Sequence, residues 1–278
     1  MKHQEAYALF EQMIQLAKQE LLSFTLTHPF TKEAKPDKSL VTACDKTIDL
    51  KLSQLAKDYG LQVISEEGEH AQQIVESGNY ITIDPIDGTL GYIDYVTHAL
   101  ETGDIHNFLK RDLGAEHDFS LLLGIVEDGV AQYAALFCYV TGEKIFLDGN
   151  SKKNCIREHN IRNYSGTDAV YTDQRPGGDI EESLKKLPFA TVISQATLGL
   201  KSVYTLINPH ASAITVHLVQ NAGLWDVLPA VVAARAFGGE VLDSHANPLE
   251  LTKYIVLPPT GAIIIKGEKF RFVLKEVV

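Results

Sequence analysis

The chain has 278 residues, enough for one large domain or about two smaller ones. Apolar residues make up 45% and charged residues 22%, which is ordinary globular usage and excludes a disordered chain, a collagen-like repeat and a coiled coil. The formal net charge of −11 argues against a nucleic-acid partner, because affinity for a phosphate backbone depends on Lys and Arg. A small anion is still an expected ligand, provided that metal ions supply positive charge.

The sequence also bears on membranes and on the cellular compartment. No apolar run reaches the roughly 18 residues of a membrane helix, so we expect no membrane partner. The N-terminus leads into an amphipathic segment rather than a signal peptide. Cys44, Cys138 and Cys155 are too few and too scattered for a disulfide framework or a Cys-x-x-Cys metal site. We therefore expect a cytoplasmic protein.

The first half of the chain alternates between helical and strand patterns. Helical spacing of apolar residues predicts a helix over 5–22, and the capping-box spacing of Thr42 and Asp45 predicts the start of a second helix. Apolar and β-branched segments predict short strands. These strands cover 61–64, 80–83, 119–126, 130–140 and 144–147, and the last three form an antiparallel meander.

The second half begins with a polar segment, 149–185, which is the candidate linker. Strands and helices then alternate, with strands at 189–193, 213–219, 240–242 and 261–265 and helices from about 199 and over 225–237. Such alternation is typical of a layered α/β fold. We predict two subdomains, residues 1–148 and 149–278, with the functional site between them.

The most informative chemistry lies in the hexapeptide Asp-Pro-Ile-Asp-Gly-Thr that begins at Asp84. A strand delivers Asp84, and Pro85 is expected to turn the chain so that Asp87 comes round to the same side. Paired carboxylates are the oxygen ligands that Mg²⁺ prefers. A helix starting after Thr89 would direct free N–H groups, with that of Gly88, at an anion. The competing interpretation is an ordinary turn, because Asp-Pro and Asp-Gly are common turn dipeptides.

Four motifs in this order resemble the inositol monophosphatase superfamily, over residues from about 5 to 250. They are Val41-Thr42-Ala43-Cys44-Asp45, Ser65-Glu66-Glu67, the hexapeptide from Asp84 to Thr89, and Trp225-Asp226 followed by Gly238-Gly239. The superfamily comprises Mg²⁺-dependent, often lithium-sensitive phosphomonoesterases. The resemblance implies a layered α-β-α-β-α sandwich with two or three Mg²⁺ ions in its site, and it is consistent with a homodimer.

The resemblance also implies which residues bind the metal ions. In this arrangement, two Mg²⁺ ions would share Asp84 as a common ligand. The implied ligands are Glu66, Asp84 and the Ile86 carbonyl for the first ion, and Asp84, Asp87 and Asp226 for the second, with Glu67 outside them or near a third.

Catalytic and phosphate-binding roles follow from the same resemblance. Asp45 and the Thr89 hydroxyl would orient and deprotonate the attacking water, with Glu66 as the third catalytic residue. The amides of Gly88 and Thr89 would hold the phosphate. Retention of these residues favours an enzyme over a catalytically silent relative that binds a phosphorylated ligand.

The resemblance implies that the substrate is a small phosphate ester, and two segments bear on which one. Inositol monophosphatases usually carry an acidic residue shortly before Trp-Asp, and the stretch from His217 to Leu224 has none. The run Thr197-Leu198-Gly199-Leu200-Lys201 shares its Leu-Lys end with the Gly-Ser-Ser-Leu-Lys of bacterial 3′(2′),5′-bisphosphate nucleotidases. Lys201 either meets a second phosphate of the substrate or is a solvated helix lysine.

We therefore favour hydrolysis of 3′(2′),5′-bisphosphate nucleotides, such as 3′-phosphoadenosine 5′-phosphate, to the 5′-monophosphate. An inositol-1-monophosphatase or another sugar-phosphate phosphatase is the alternative. The segment 90–118 is long for a loop in a compact domain, and we expect either a lid beside the site or a packed surface helix.

Overall fold

Two mixed β-sheets and the helices packed on them make up the computed structural model of the chain. The structure describes residues 1–28, 32–34, 40–68, 72–159, 169–172, 191–194, 197–207, 214–217, 223–243, 247–249, 251 and 262–265. A separate two-stranded antiparallel hairpin consists of β1 (Lys32–Ala34) and β2 (Leu40–Thr42).

The larger sheet has six strands. They are β3 (Val63–Ser65), β4 (Tyr80–Asp87), β5 (Ser120–Glu127), β6 (Val130–Cys138), β7 (Lys144–Asp148) and β8 (Ile156–Glu158). The strands lie in sequence order, with β3 parallel to β4 and every other neighbouring pair antiparallel. The predicted meander is therefore confirmed.

The second sheet has five strands. They are β9 (Ala169–Thr172), β10 (Thr191–Ser194), β11 (Ile214–His217), β12 (Glu240–Asp243) and β13 (Ala262–Ile265). Their spatial order is β10-β9-β11-β13-β12. Strands β8 and β9 both fall inside the segment 149–185 that the sequence suggested as a linker, and the larger sheet extends past residue 148 to include β8.

Within the described residues, six α-helices accompany the sheets. They are α1 (His3–Thr27), α2 (Ala43–Asp58), α3 (Gln72–Ser77), α4 (Thr89–Thr102), α5 (Leu198–Ile207) and α6 (Leu224–Phe237). Three short 3₁₀ helices cover Ile105–Lys110, Ala115–His117 and Lys152–Asn154. Among the helices of the described residues, none is both long and apolar enough to cross a membrane.

The helices form layers on the two faces of the six-stranded sheet. Helices α1, α2 and α4 share one core with the side chains of Leu121 and Leu123 from β5, whereas α5 and α6 share the opposite core with Leu122. Alternate residues of a strand point to opposite faces, so a strand buried on both faces is apolar throughout. Helix α5 also contacts the second sheet. The described residues thus supply four layers, α-β-α-β, of the predicted five-layer α/β sandwich.

Strand β4 departs from the prediction at Pro85. We expected the proline to end the strand, but β4 continues to Asp87 across a bulge, because Asp84 pairs with Leu122 and Asp87 with Ser120. A bulge leaves one extra residue outside the ladder, and it tolerates a proline that has no N–H to donate. The bulge puts Asp84 and Asp87 at the same end of one buried strand.

In the long segment 90–118, the residues up to Thr102 belong to helix α4, which packs against the core. Tyr92 and Tyr95 of α4 are buried in the core beside α1, and the Tyr92 hydroxyl lies 2.9 Å from that of Thr25. Its histidines do not converge, since His98 pairs with Arg111 at 2.8 Å and His117 with Asp94 at 2.9 Å. Of the two expectations, the packed helix is right for α4.

Helix α6 approaches β5 at Gly124, and this contact yields a prediction. A Cβ at Gly124 would lie 2.4 Å from a methyl carbon of Leu228 on α6. We expect Gly124→Ala to lower the free energy of unfolding by about 1–3 kcal/mol in urea titrations, because overpacking strains the interface. Adding Leu228→Ala should make the combined loss smaller than the sum of the two single losses. Strictly additive losses would contradict this account of the contact.

Candidate active site

Three carboxylates from both halves of the chain meet at the end of β4. One ligand oxygen from each of Asp84, Asp87 and Asp226 lies within 4.8 Å of the others. Asp84 and Asp87 are buried, and Asp226 is half-buried in the first turn of α6. Oδ2 of Asp226 accepts a 2.6 Å hydrogen bond from the Gly223 N–H, where a helix N-terminus favours negative charge.

Glu66 joins this group from the neighbouring strand. Because β3 runs parallel to β4, its end lies beside Ile83, and the Glu66 N–H donates to the Ile83 carbonyl at 3.0 Å. The Glu66 and Asp84 side chains share a hydrogen bond and interact electrostatically. Glu67 follows on the same turn and is half-buried. Three separate motifs therefore bring four acidic side chains near one another: Glu66, Asp84, Asp87 and Asp226.

The crowding changes the ionisation of these groups. Burial, followed by the charges of Glu66, Asp87 and Asp226, holds the pKa of Asp84 well above its usual range. Burial also raises the pKa of Asp87 to about 7, although the Gly199 amide, Lys201 and the Leu198 amide lower it. A set of buried oxygen donors whose ionised forms repel one another fits hard divalent cations such as Mg²⁺.

Asp45 and Thr89 form a hydrogen-bonded pair beside the cluster. Thr42 caps α2, and its hydroxyl and backbone N–H both donate to Asp45, as the capping-box spacing predicted. The Thr89 hydroxyl lies 3.4 Å from Oδ1 of Asp45 and 3.2 Å from the Ile86 carbonyl oxygen. Burial raises the pKa of Asp45 to about 6 despite the hydrogen bonds from Thr42. The pair is positioned to accept a proton near neutral pH.

The N-terminus of α4 opens next to these groups, as predicted. Gly88 caps the helix with φ of 89°, a left-handed conformation that favours glycine. A Cβ there would also lie 3.0 Å from the Asp118 carbonyl oxygen and from the Thr197 methyl group. The first N–H groups of an α-helix have no intrahelical acceptor, so this end of α4 is suited to bind a phosphate.

Lys201 is buried rather than solvated, with 1% of its surface exposed. It lies on α5, and its positive charge is one of the causes that lower the pKa of Asp87. The expectation of a solvated helix lysine is therefore wrong. The Lys201 charge therefore acts on the acidic cluster from within the protein.

Sequence reasoning missed the hydrogen-bond donors that hold Asp87. The N–H groups of Leu198 and Gly199 donate to its two oxygens at 3.3 and 2.8 Å, and the Ser120 hydroxyl lies 3.5 Å from Oδ2. Thr197 before an apolar helix is a recognisable N-cap signal, and its hydroxyl accepts from the Leu200 N–H at 3.3 Å. That signal predicts the helix start but not its contact with Asp87, and nothing in the sequence marks Ser120.

Comparison with known proteins shows similarity to one family of phosphatases. The model of the inositol monophosphatase family matches residues 3–267. No curated protein matches the chain. A dual-specific IMPase/NADP phosphatase solved with D-inositol-1-phosphate is similar with a TM-score of 0.72 and 17% identity, covering 99% of this chain and 96% of that one.

Two further solved structures are similar. An IMPase/NADP phosphatase complexed with NADP and Ca²⁺ has a TM-score of 0.71 and 17% identity, and covers 99% of this chain and 95% of that one. The extragenic suppressor protein SuhB from Bartonella henselae has a TM-score of 0.64 and 15% identity, and covers 97% and 98%. At these identities the structural similarity establishes the fold.

The raised pKa values generate a prediction about stability and pH. In folded protein without metal, Asp45 and Asp87 retain protons that the unfolded chain has released, so the free energy of unfolding should fall as pH rises from about 4 towards 7. Mg²⁺ binds the deprotonated carboxylates, so its stabilising effect should grow over the same range. Urea unfolding with EDTA or with Mg²⁺, at a series of pH values, measures both.

A matched pair of variants sharpens this test. Asp87→Asn should raise the free energy of unfolding at pH 8 without metal by about 0.5–3 kcal/mol and weaken the Mg²⁺ effect. Asp58→Asn, at the exposed C-terminal residue of α2, should leave the Mg²⁺ effect unchanged. An unfolding midpoint that is the same with and without Mg²⁺ at pH 8 would contradict the assignment of a metal site.

Proposed function

The chain belongs to the inositol monophosphatase family, whose members are Mg²⁺-dependent phosphatases that hydrolyse phosphomonoesters, and we propose that its own substrates are 3′(2′),5′-bisphosphate nucleotides. The observation that carries this proposal is a buried lysine, Lys201, whose charge acts on Asp87 within the acidic cluster. The reaction releases the 3′- or 2′-phosphate and leaves the 5′-monophosphate.

The acidic cluster supplies the ligands for Mg²⁺ in this proposal. Glu66, Asp84 and the Ile86 carbonyl would hold one ion, and Asp84, Asp87 and Asp226 would hold a second, with Glu67 farther out. The donor oxygens of Asp84, Asp87 and Asp226 lie within 4.8 Å of one another, which supports a cation site made of these three residues. When bound, Mg²⁺ supplies positive charge to the phosphate oxygens and lowers the pKa of water.

The chain's own groups then divide the remaining tasks. The first amides of α4, at Gly88 and Thr89, bind and orient the phosphate oxygens. The Thr89 hydroxyl, 3.4 Å from Asp45, orients the attacking water. The proton of the water passes through this hydroxyl to the Asp45 carboxylate. Phosphoryl transfer depends mostly on such positioning and on charge neutralisation, so few groups need to react covalently.

Lys201 gives the site a preference for a second phosphate. The cluster is otherwise acidic, and a lysine that is 1% exposed offers a charge that water does not screen. A substrate with two phosphates gains from that charge through its second phosphate, whereas a polyol monophosphate has no second phosphate to place near it. The absence of Asp and Glu between His217 and Leu224 also removes the side chain expected to bind inositol hydroxyls.

Inositol-1-phosphate is the second candidate substrate. A structural neighbour was solved with D-inositol-1-phosphate, and the phosphate-binding elements proposed here do not depend on the leaving group. Preference between the two esters is therefore decided by residues around the leaving group. Lys201 is the residue that we propose gives this preference.

The proposal is tested by release of inorganic phosphate with Mg²⁺. We expect faster turnover of 3′-phosphoadenosine 5′-phosphate than of inositol-1-phosphate, and a loss of at least about 100-fold in Asp87→Asn, because a metal ligand is removed. Preference for inositol-1-phosphate would overturn the nucleotide assignment. Release that is independent of Mg²⁺ and unaffected by Asp87→Asn would instead overturn the metal assignment.

Two variants of Lys201 separate substrate contact from general damage to the site. At saturating Mg²⁺, Lys201→Met should lower kcat/KM for the bisphosphate by about 10–100-fold more than for inositol-1-phosphate, as loss of a charge-assisted hydrogen bond predicts. Lys201→Arg should recover part of the difference. Equal losses for both substrates would show that Lys201 serves the fold or the metal site and not the second phosphate.

A further inference from the structure

A polar cluster with a buried carboxylate at its centre contacts the later half of α5, beyond the amides that bond Asp87. Glu143, whose side chain is fully buried, accepts hydrogen bonds of 2.5 Å from Nε of Arg157 and of 2.5 Å from the Tyr204 hydroxyl. The Arg157 guanidinium also lies 5.1 Å from the centroid of the Tyr204 ring. These three residues, the Glu143 cluster, come from the turn before β7, from β8 and from α5.

The cluster fixes α5 to the six-stranded sheet through directional contacts. The Glu143 backbone is itself held, because its carbonyl accepts from the Cys138 N–H at 2.9 Å. Burial and the Glu143 charge raise the pKa of Tyr204 well above its usual range, so its hydroxyl stays protonated and donates. Only the Glu143 side of the pair is fully buried, since the Arg157 side chain is 29% exposed, so the pair adds little net stability but its directional hydrogen bonds define geometry. The cluster therefore specifies where α5 sits.

The other end of the same helix holds Asp87. Leu198 and Gly199, which donate to its carboxylate, precede Tyr204 by five to six residues, or about 7.5–9 Å along the helix axis. Because a short helix moves as a rigid unit, a shift at Tyr204 displaces these amides relative to Asp87. Hydrogen bonds to a metal-binding carboxylate orient it, and their loss weakens metal affinity.

We propose that the Glu143 cluster is a positioning device for Asp87, acting through α5 to hold that carboxylate in the orientation that binds a divalent cation. This inference rests on the proposed role of Asp87 as a metal ligand. Glu143, Arg157 and Tyr204 are positioning residues, because none of them is among the groups proposed to bind metal or substrate.

The test compares two tyrosines that each lose only a hydroxyl. Tyr204→Phe removes the bond to Glu143 but keeps the ring beneath Arg157. Tyr80→Phe is the matched control, since Tyr80 is equally buried and its hydroxyl donates to the Leu251 carbonyl at 3.0 Å, at the opposite end of β4 from Asp84. Mn²⁺ affinity is measured by calorimetry and stability by urea unfolding of the metal-free proteins.

We expect both variants to lose stability, but only Tyr204→Phe to lose Mn²⁺ affinity, by about 3–10-fold. This is below the roughly 10–100-fold found when a direct hydrogen-bond partner of a ligand is removed. Phosphate release by Tyr204→Phe should fall more at limiting than at saturating Mg²⁺. Equal stability losses with wild-type Mn²⁺ affinity in Tyr204→Phe would overturn the proposal.

A second variant covers the case in which Tyr204→Phe does not fold. Arg157→Lys keeps the charge but lacks the planar guanidinium that bonds Glu143 and covers the ring, so a smaller loss of Mn²⁺ affinity is expected. Unchanged affinity in that variant would overturn the positioning role. Failure of the wild-type protein to bind Mn²⁺ would instead overturn the metal site itself, and with it the proposed function.

Discussion

Repulsion among buried carboxylates is the constraint to which the rest of the site responds. Asp84, Asp87 and Asp226 bring ligand oxygens within 4.8 Å of one another, and Glu66 adds a fourth acidic group beside Asp84. Burial of Asp84 and Asp87 removes the water that would screen their charges, so protons or cations must neutralise the group. This explains how a chain with a net charge of −11 is suited to an anionic substrate: bound metal ions reverse the local sign of charge.

Helix N-termini supply the remaining positive potential. Helix α2 begins beside Asp45, α4 beside Gly88, α5 donates two amides to Asp87, and α6 carries Asp226 in its first turn. A helix N-terminus stabilises a nearby negative charge by about 0.3–1 kcal/mol at an exposed site and by more when partly buried. Convergence of four such ends lets the fold tolerate the acidic cluster before any cation binds. The layered arrangement of helices therefore helps to stabilise the negative charge of the acidic cluster.

Local signals in the sequence predicted the parts of the site that lie within one motif. Thr42 and Asp45 form the expected capping box, Gly88 caps the helix expected after Thr89, and Asp226 lies in the first turn of a helix. The continuation of β4 through Pro85 was missed, because a bulge depends on how β5 pairs with it. The burial of Lys201 and the amides on Asp87 were missed for the same reason: both depend on where α5 packs, which local spacing does not encode.

The central claim, that the carboxylates at the end of β4 form a divalent-cation site, is tested most directly by anomalous diffraction from crystals soaked in Mn²⁺ above pH 7. At that pH the carboxylates can release their protons to the metal. We predict at least one anomalous peak in contact with Asp84, Asp87 and Asp226, with the Asp87 carboxylate still bonded to the first amides of α5. The absence of any peak among these three carboxylates, in crystals that diffract well and contain Mn²⁺, would contradict the account.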